Sequence, residues 1–89
     1  MKTIWKYHPT IEDVVTFIVP PQTKLISAGV DPSGDLCVWM EVAQPEFPKI
    51  AKIVCGVFGT GQNVPDDMIF LNTVLMTPFV WHVYYKEIC

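Results

Sequence analysis

The chain has 89 residues, of which 51% are hydrophobic and 17% charged, and its net charge is −3. Because charged residues usually make up about 25% of a domain, part of this apolar surface is expected to meet a partner, most simply another copy of the chain. The six basic residues are all lysines. Duplex recognition depends on basic patches and on the arginine fork, so direct binding to duplex nucleic acid is not expected.

The cysteines and the hydropathy pattern indicate the cellular compartment in which the protein is expected. Cys37, Cys55 and Cys89 form an odd set without paired spacing, which predicts reduced thiols that pack as small hydrophobes. No apolar run reaches the roughly 18 residues of a membrane span. We therefore expect a single β domain over residues 1–89 that is cytoplasmic and makes no contact with membranes.

Eight prolines and five glycines interrupt the chain, which excludes long helices and favours short strands between turns. We predict an all-β fold, a small two-layer β-sandwich or barrel of about seven short antiparallel strands with little or no helix. The predicted strands, in chain order, cover residues 3–8, 13–19, 24–30, 36–42, 50–58, 68–77 and 79–87.

Side chains alternate most clearly in two of the predicted strands. Both faces of each carry large apolar groups, so we expect cover on both sides, from a second sheet or a second subunit. The opposed faces are Leu36, Val38, Met40 and Val42 against Cys37, Trp39 and Glu41, and Val15, Phe17 and Val19 against Val14, Thr16 and Ile18.

The connections carry turn chemistry. The stretches VPPQTK and VDPSGD place proline and glycine where tight turns need them and predict hairpins. Residues 44–49, QPEFPK, predict an extended crossover, or at most one helical turn, between two sheets. A further hairpin is predicted across Thr77 and Pro78, and its second arm carries the aromatic residues of FVWHVYY.

The stretch GVFGTGQN, residues 56–63, has the glycine spacing of a triphosphate-binding loop. That loop needs a lysine and a hydroxyl after its second glycine and then a helix, whereas this chain has Gln62, Asn63 and soon Pro65. Phosphate hydrolysis is therefore not expected. We predict a strand-end turn in which glycine supplies a positive φ, with an anion-binding nest of backbone N–H groups at residues 59–61 as the alternative.

Acidic and histidine side chains form no specific motif. Neither Asp66 with Asp67 nor the stretch 31–35 has the ligand pattern of a calcium loop, so solvated turns are expected. His82 is the best candidate for a general base, although a structural sheet histidine is commoner. His8 and His82 lack the paired motifs of two-histidine phosphodiesterases, and no short chelating pair favours zinc. We assign no catalytic residue, metal or cofactor.

Four stretches, MKTIWKY, CVWMEV, FGTG and FVWHVYY, resemble in order and spacing a family of small phage-encoded proteins of unknown function. That family begins Met-Lys-Thr-Ile-Trp-Lys, continues with a Cys-Leu-Trp strand, a Tyr-Gly-Thr-Gly-His turn and a Gly-Thr-Phe strand, and ends in Phe-His-Val-Phe. The resemblance spans almost the whole chain. It implies a phage or prophage origin and a compact β-rich fold, and it gives no activity.

Matched position by position, the resemblance marks a set of residues in this chain. The sequence departs from the family at Gln62, where the family tends to carry histidine, and at Asn72, where it carries glycine. The marked residues are Trp5, Lys6, Trp39, Gly59, Thr60, Gly61, Thr73 and His82.

These observations predict a non-enzymatic, homo-oligomeric binding protein in the host bacterial cytoplasm that interferes with host defence. It would dock on a defence protein or sequester a small nucleotide signal, whose base would stack on aromatic side chains while Lys6 and the turn amides hold the phosphate. A virion or assembly accessory protein is one alternative, and a small nucleotide-cleaving enzyme using His82 is another. The expected ligand-binding or interface residues are Trp5, Lys6, Trp39, Gly59, Thr60, Gly61, His82 and Tyr84.

Overall fold

A computed structural model describes residues 1–43 and 49–88, and these residues form an all-β sandwich of two antiparallel sheets, as predicted. No helix occurs in the described ranges, and accordingly none there is long and apolar enough to cross a membrane. No predicted strand end lies more than one residue from the observed one. The strands are β1 (Thr3–Tyr7), β2 (Val14–Val19), β3 (Lys24–Val30), β4 (Leu36–Val42), β5 (Ala51–Gly59), β6 (Ile69–Met76) and β7 (Phe79–Ile88).

The two sheets are three and four strands wide, in the orders β1-β4-β3 and β2-β5-β7-β6. Alternation turns one face of each sheet toward the other sheet, and we call the opposite face the outer face. In β4 the even-numbered apolar residues enter the core, and in β7 Trp81 and Val83 do so. The predicted division of β4 and β2 into two faces is confirmed, and the outer side of β2 is exposed.

The buried core between the sheets consists of aliphatic residues, one methionine, one tryptophan and one cysteine. Burial raises the pKa of the Cys55 thiol to about 12, and Cys37 is also buried and free. Both therefore pack as the small hydrophobes that the sequence predicts. The core residues are Val19, Leu25, Ala28, Leu36, Val38, Met40, Ile53, Cys55, Val57, Val74, Trp81 and Val83.

The connection VPPQTK is not a hairpin, and that prediction is wrong: it carries the chain from β2 in one sheet to β3 in the other. The Thr23 hydroxyl donates to the carbonyl of Pro20 at 2.7 Å, and Gln22 adopts a φ of 62°. This local turn redirects the chain between layers. Residues 31–35 and the cis Thr77-Pro78 bond do form the predicted hairpins.

The predicted crossover at residues 44–49 lies outside the described residues except for Lys49. The strands that it joins, β4 and β5, lie in different sheets.

Side-chain contacts connect the two sheets at both sides of the sandwich. On one side the Asn72 carboxamide of β6 accepts the N–H of Ala28 at 2.9 Å and donates to the Ala28 carbonyl at 2.9 Å, which links β6 to β3. On the other side, the rings of Tyr7 in β1 and Phe17 in β2 lie 5.1 Å apart. Neither contact involves the outer face of the four-stranded sheet.

Candidate functional site

His82 occupies the middle of the outer face of the four-stranded sheet. Since Trp81 and Val83 point into the core, Val80, His82 and Tyr84 point outward. The strand register places Phe58 of β5 and Thr73 of β6 on either side of His82. His82 is half-buried, and its ring is reached from both neighbouring strands.

Two threonine hydroxyls engage both ring nitrogens of His82. Thr60 Oγ1 lies 2.9 Å from Nε2, and Thr73 Oγ1 lies 3.0 Å from Nδ1. A neutral imidazole has one donor and one acceptor nitrogen, so one hydroxyl donates to the ring and the other accepts from it. We call these three residues the hydroxyl–imidazole network. The sequence marked all three residues, but nothing in it showed that they meet.

The turn that carries Thr60 is the strand-end turn predicted from the glycines. β5 ends at Gly59, the Gln62 N–H donates to the Gly59 carbonyl at 3.1 Å, and Gly61 has the left-handed φ of 93°. The Gly59 N–H donates to the side-chain oxygen of Gln62. An anion could use that N–H only after displacing Gln62, which disfavours the nest at this position.

An aromatic cluster borders the network on the same face. The Tyr84 ring meets Phe58 edge-on at 5.9 Å and Phe70 edge-on at 5.4 Å, a favoured geometry for aromatic pairs. Met68 from the β5–β6 connection packs against Phe58. The cluster gives the outer face a small hydrophobic core of its own.

An ion pair holds the β5–β6 connection onto this face. Lys86 Nζ donates to Asp67 Oδ2 at 2.7 Å, and this hydrogen bond lowers the pKa of the Asp67 carboxyl. A cation at Asp66 and Asp67, for which the sequence has no specific motif, is therefore disfavoured at Asp67, because Lys86 already neutralises that carboxylate.

Two open grooves flank Thr60. One, of about 230 Å³, lies over residues 58–62 and between His82 and Tyr84. The other, of about 390 Å³, lies between Glu12, the turn and the β6–β7 hairpin. No lysine lines either groove among the residues that the structure describes, and the chain has no arginine. The site therefore suits a neutral hydrogen-bonding group beside apolar ones better than a phosphate.

Large apolar side chains lie exposed around the network. Leu75 is 72% exposed and pairs across the hairpin with Val80, and Phe70 is 52% exposed. Val14 and Ile18 extend the same face along β2. Exposed apolar residues grouped around a few fixed polar atoms are typical of recognition surfaces.

The remaining predicted site residues lie on the three-stranded sheet. Lys6 and Trp39 are cross-strand neighbours on its outer face, and Trp5, paired with Met40, belongs to the opposite face at the sheet edge. The structure thus brings Gly59, Thr60, Gly61, His82 and Tyr84 together and separates them from this second group. Within one chain, Lys6 and the turn amides do not form one phosphate site.

Lys6 instead serves the β3–β4 turn through Asp31. The Asp31 carboxylate is buried and accepts the N–H groups of Ser33 and Asp35 on Oδ1, and Lys6 and His8 donate to Oδ2, each at 3.1 Å. The N–H of Asp35 and then His8 and Lys6 lower the pKa of Asp31 far below its usual range. The prediction of a solvated turn is therefore wrong for Asp31.

A cation at this turn is disfavoured by the same contacts. His8, Asp31 and Asp35 present ligand atoms within 4.8 Å of one another. However, both Asp31 oxygens already have donors, and the Lys6 ammonium would repel a metal ion bound to Oδ2. No sequence pattern indicated that Lys6 and His8 converge here, because they lie 25 and 23 residues from Asp31.

A family described as a domain of unknown function, DUF7352, matches residues 1–88. The match covers both sheets and every strand described above. Comparison with curated proteins and with solved structures gives no match.

Proposed function

The chain belongs to this family of domains of unknown function, and we propose that it is a non-enzymatic binding protein of phage or prophage origin that docks on a host defence protein. The observation that supports docking is the fixed hydroxyl–imidazole network surrounded by exposed apolar side chains on one sheet face. The phage origin rests on the resemblance of the sequence to phage-encoded proteins, and the defence target is proposed from that origin, because small phage proteins often act by binding a component of the host cell.

The geometry favours a protein target over a nucleotide. A nucleotide signal would bring phosphate charge to the Thr60 turn. The Gly59 N–H already donates to the Gln62 side chain, however, and Lys6 lies on the other sheet, so neither group meets a phosphate at this turn. A protein surface offers instead apolar groups for Phe70 and Leu75 and neutral polar groups for His82. Such contacts match the usual anatomy of an interface, in which apolar anchors surround a few hydrogen bonds.

Both hydroxyls hold the His82 ring in one orientation, which makes it a defined polar contact. Because the ring is constrained before binding, little rotamer entropy is lost when a partner hydrogen bonds to the network. The network would therefore contribute specificity, and the apolar side chains around it would contribute most of the affinity.

A phage plaquing assay in bacteria that carry individual defence systems tests this proposal. Expression of the chain should restore plaquing of a sensitive phage against one such system, and the purified defence protein should bind the chain directly. Leu75→Glu should weaken that binding by about tenfold or more, because it places a charge at the apolar contact. Ile26→Glu, at an exposed position on the other sheet, is the matched control and should bind as the wild type does.

Isothermal titration with cyclic and linear nucleotides separates the two modes of interference. We expect no heat at micromolar nucleotide concentration. Binding heat that disappears in the His82→Ala variant would overturn protein docking in favour of sequestration. Failure to restore plaquing against any defence system, with the chain expressed and folded, would contradict the defence role itself.

One observation supports the enzymatic alternative: a hydroxyl lies within hydrogen-bond reach of each nitrogen of His82. This arrangement has the geometry of a nucleophile, a base and an orienting group. Thr60 Oγ1 would form a bond to a phosphorus atom of the nucleotide as the bond from that phosphorus to its leaving oxygen breaks. His82 would accept the hydroxyl proton and pass it to the leaving oxygen, and Thr73 would orient the ring. Turnover of a nucleotide panel that is lost in both His82→Ala and Thr60→Val, with the fold retained by circular dichroism, would favour this alternative.

A further inference from the structure

The edges of the two sheets differ in their protection against pairing with another chain. β1 and β3 are the edge strands of one sheet, and β2 and β6 are those of the other. Natural sheets protect such edges with charges, prolines, bulges or covering segments. β2, with the sequence VVTFIV, contains no charged residue and no proline, and its pairing with β5 has no register shift.

Each of the other three described edge strands has a protecting feature. β1 carries Lys6 in its sequence TIWKY. β3 begins with Lys24 and has a bulge between Leu25 and Ser27. β6 has a bulge between Phe70 and Asn72, and the Asn72 side chain bonds to the β3 backbone. Among the described edge strands, β2 is thus the least protected, since its one such feature is at its first residue, where Asp13 Oδ1 accepts the Val14 N–H.

Backbone hydrogen bonds show which residues of β2 face its free edge. The Asp13 carbonyl accepts the N–H of Val57 in β5, so the Asp13 backbone points toward β5. Backbone groups of alternate residues point to opposite sides of a strand in an antiparallel pair. Val14, Thr16 and Ile18 therefore direct their N–H and C=O groups toward the free edge, and all three side chains are exposed. The Val14 N–H donates there to Asp13 Oδ1 at 2.7 Å, so a strand that pairs at Val14 must displace this carboxylate.

We propose that β2 pairs with β2 of a second copy of this chain, antiparallel about a two-fold axis at Thr16. The two four-stranded sheets then form one continuous sheet. Residues that lie directly opposite each other in paired strands have their side chains on the same face of the sheet, whereas successive residues of one strand alternate faces. The two-fold axis must therefore pass through a residue of β2, because an axis between two residues would pair opposite faces. An axis at Thr16 pairs Val14 with Ile18 of the partner subunit, and these side chains are 42% and 63% exposed in the single chain.

The register with its axis at Thr16 is favoured over the one with its axis at Phe17. An axis at Phe17 would place Pro20, which has no N–H, opposite Val14, and would set the Thr16 hydroxyl against an isoleucine. At Thr16 the two threonines face each other, and the two apolar pairs Val14 and Ile18 meet on either side of them.

Charge also favours a second copy as the occupant of this edge. With the axis at Thr16, Asp13 faces Val19 of the partner subunit, so the pairing places no like charges directly opposite each other. The outer faces of both copies become continuous along the row formed by Val14 and Ile18. This inference stands apart from the proposed target of the protein.

Charged substitutions at Thr16 test the proposal, because Thr16 is the residue of β2 that would lie opposite the same residue of the partner subunit. The wild type should be a dimer by native mass spectrometry and light scattering. Thr16→Lys and Thr16→Glu should each raise the dimer dissociation constant by about tenfold or more, since like charges would lie directly opposite. An equimolar mixture of the two variants should recover a heterodimer.

Thr3→Lys, at an exposed position on the edge strand β1, is the matched control and should leave the dimer intact. A monomeric wild type would overturn the proposal, as would a dimer that persists in both Thr16 variants, because pairing would then involve another surface. Circular dichroism of each variant distinguishes dissociation from unfolding. Recovery in the mixture, which only a folded pair can show, supports the axis at Thr16.

Discussion

At the scale of single residues, the best-defined electrostatic feature is Asp31, which joins the β3–β4 turn to β1. Its buried carboxylate accepts hydrogen bonds from two backbone N–H groups and from the side chains of Lys6 and His8. These donors favour the charged carboxylate and lower its pKa. The ionised form therefore stabilises the folded chain.

The first prediction concerns the pH dependence of this contribution. Since the folded pKa of Asp31 lies below the unfolded value of about 3.9, the stabilisation is complete above about pH 4 and is lost as the pH falls toward the folded pKa. Asp31→Asn should lower the thermal midpoint at neutral pH by about 4–8 °C and flatten the acid decline. Thermal unfolding followed from pH 7 to acid measures both effects.

The control for Asp31 is Asp67, whose carboxyl also has a lowered pKa but whose side chain is 64% exposed. Exposed ion pairs contribute little to stability, so Asp67→Asn should change the midpoint much less. An Asp31→Asn variant with the acid decline of the wild type would contradict the assignment.

At the scale of strands, the outer face of the four-stranded sheet depends on a glycine in the middle of β5. A Cβ added at Gly56 would lie 2.6 Å from the Phe58 ring and 3.2 Å from the terminal methyl of Met68. The absence of a side chain at this position lets Phe58 lie flat across β5 and contact Tyr84. Gly56 thus allows the aromatic cluster that borders His82.

The second prediction is that Gly56→Ala lowers the free energy of unfolding by about 1–3 kcal/mol, because the Phe58 ring must move away from Tyr84 and Met68. Urea denaturation measures the loss. In a Phe58→Leu background, Gly56→Ala should lower the free energy of unfolding by less than it does in the wild type, since leucine lacks the outer ring atoms that clash. Equal losses in both backgrounds would show that the ring is not the obstacle.

At the scale of the whole molecule, a side-chain carboxamide links the two sheets at one side. The Asn72 side-chain oxygen accepts a hydrogen bond from the Ala28 N–H, and its nitrogen donates one to the Ala28 carbonyl. Asn72 thus links β6 to β3 in the way that one pair of backbone hydrogen bonds links two strands of a sheet. The sequence identified Asn72 only as a departure from the family resemblance. Its role follows from the packing of two strands that are far apart in the chain.

The third prediction is that Asn72→Ala lowers the free energy of unfolding by about 1–3 kcal/mol, because the backbone N–H and C=O of Ala28 lose their partners. Asn63→Ala, at an exposed loop position, is the control and should stay within about 0.5 kcal/mol of the wild type. Hydrogen exchange should also accelerate at the Ala28 amide. Unchanged exchange there would contradict the bond.

Local sequence patterns predicted the all-β class, the strand positions and the strand-end turn at Gly61 correctly, because alternation and turn residues act over a few neighbouring positions. They did not determine which strands share a sheet, so VPPQTK was predicted as a hairpin although it crosses between sheets. Only the tertiary structure brought Thr60, Thr73 and His82 together and kept Lys6 apart from them. The physical reason is that these contacts depend on strand order and register, which are set by the packing of the whole core.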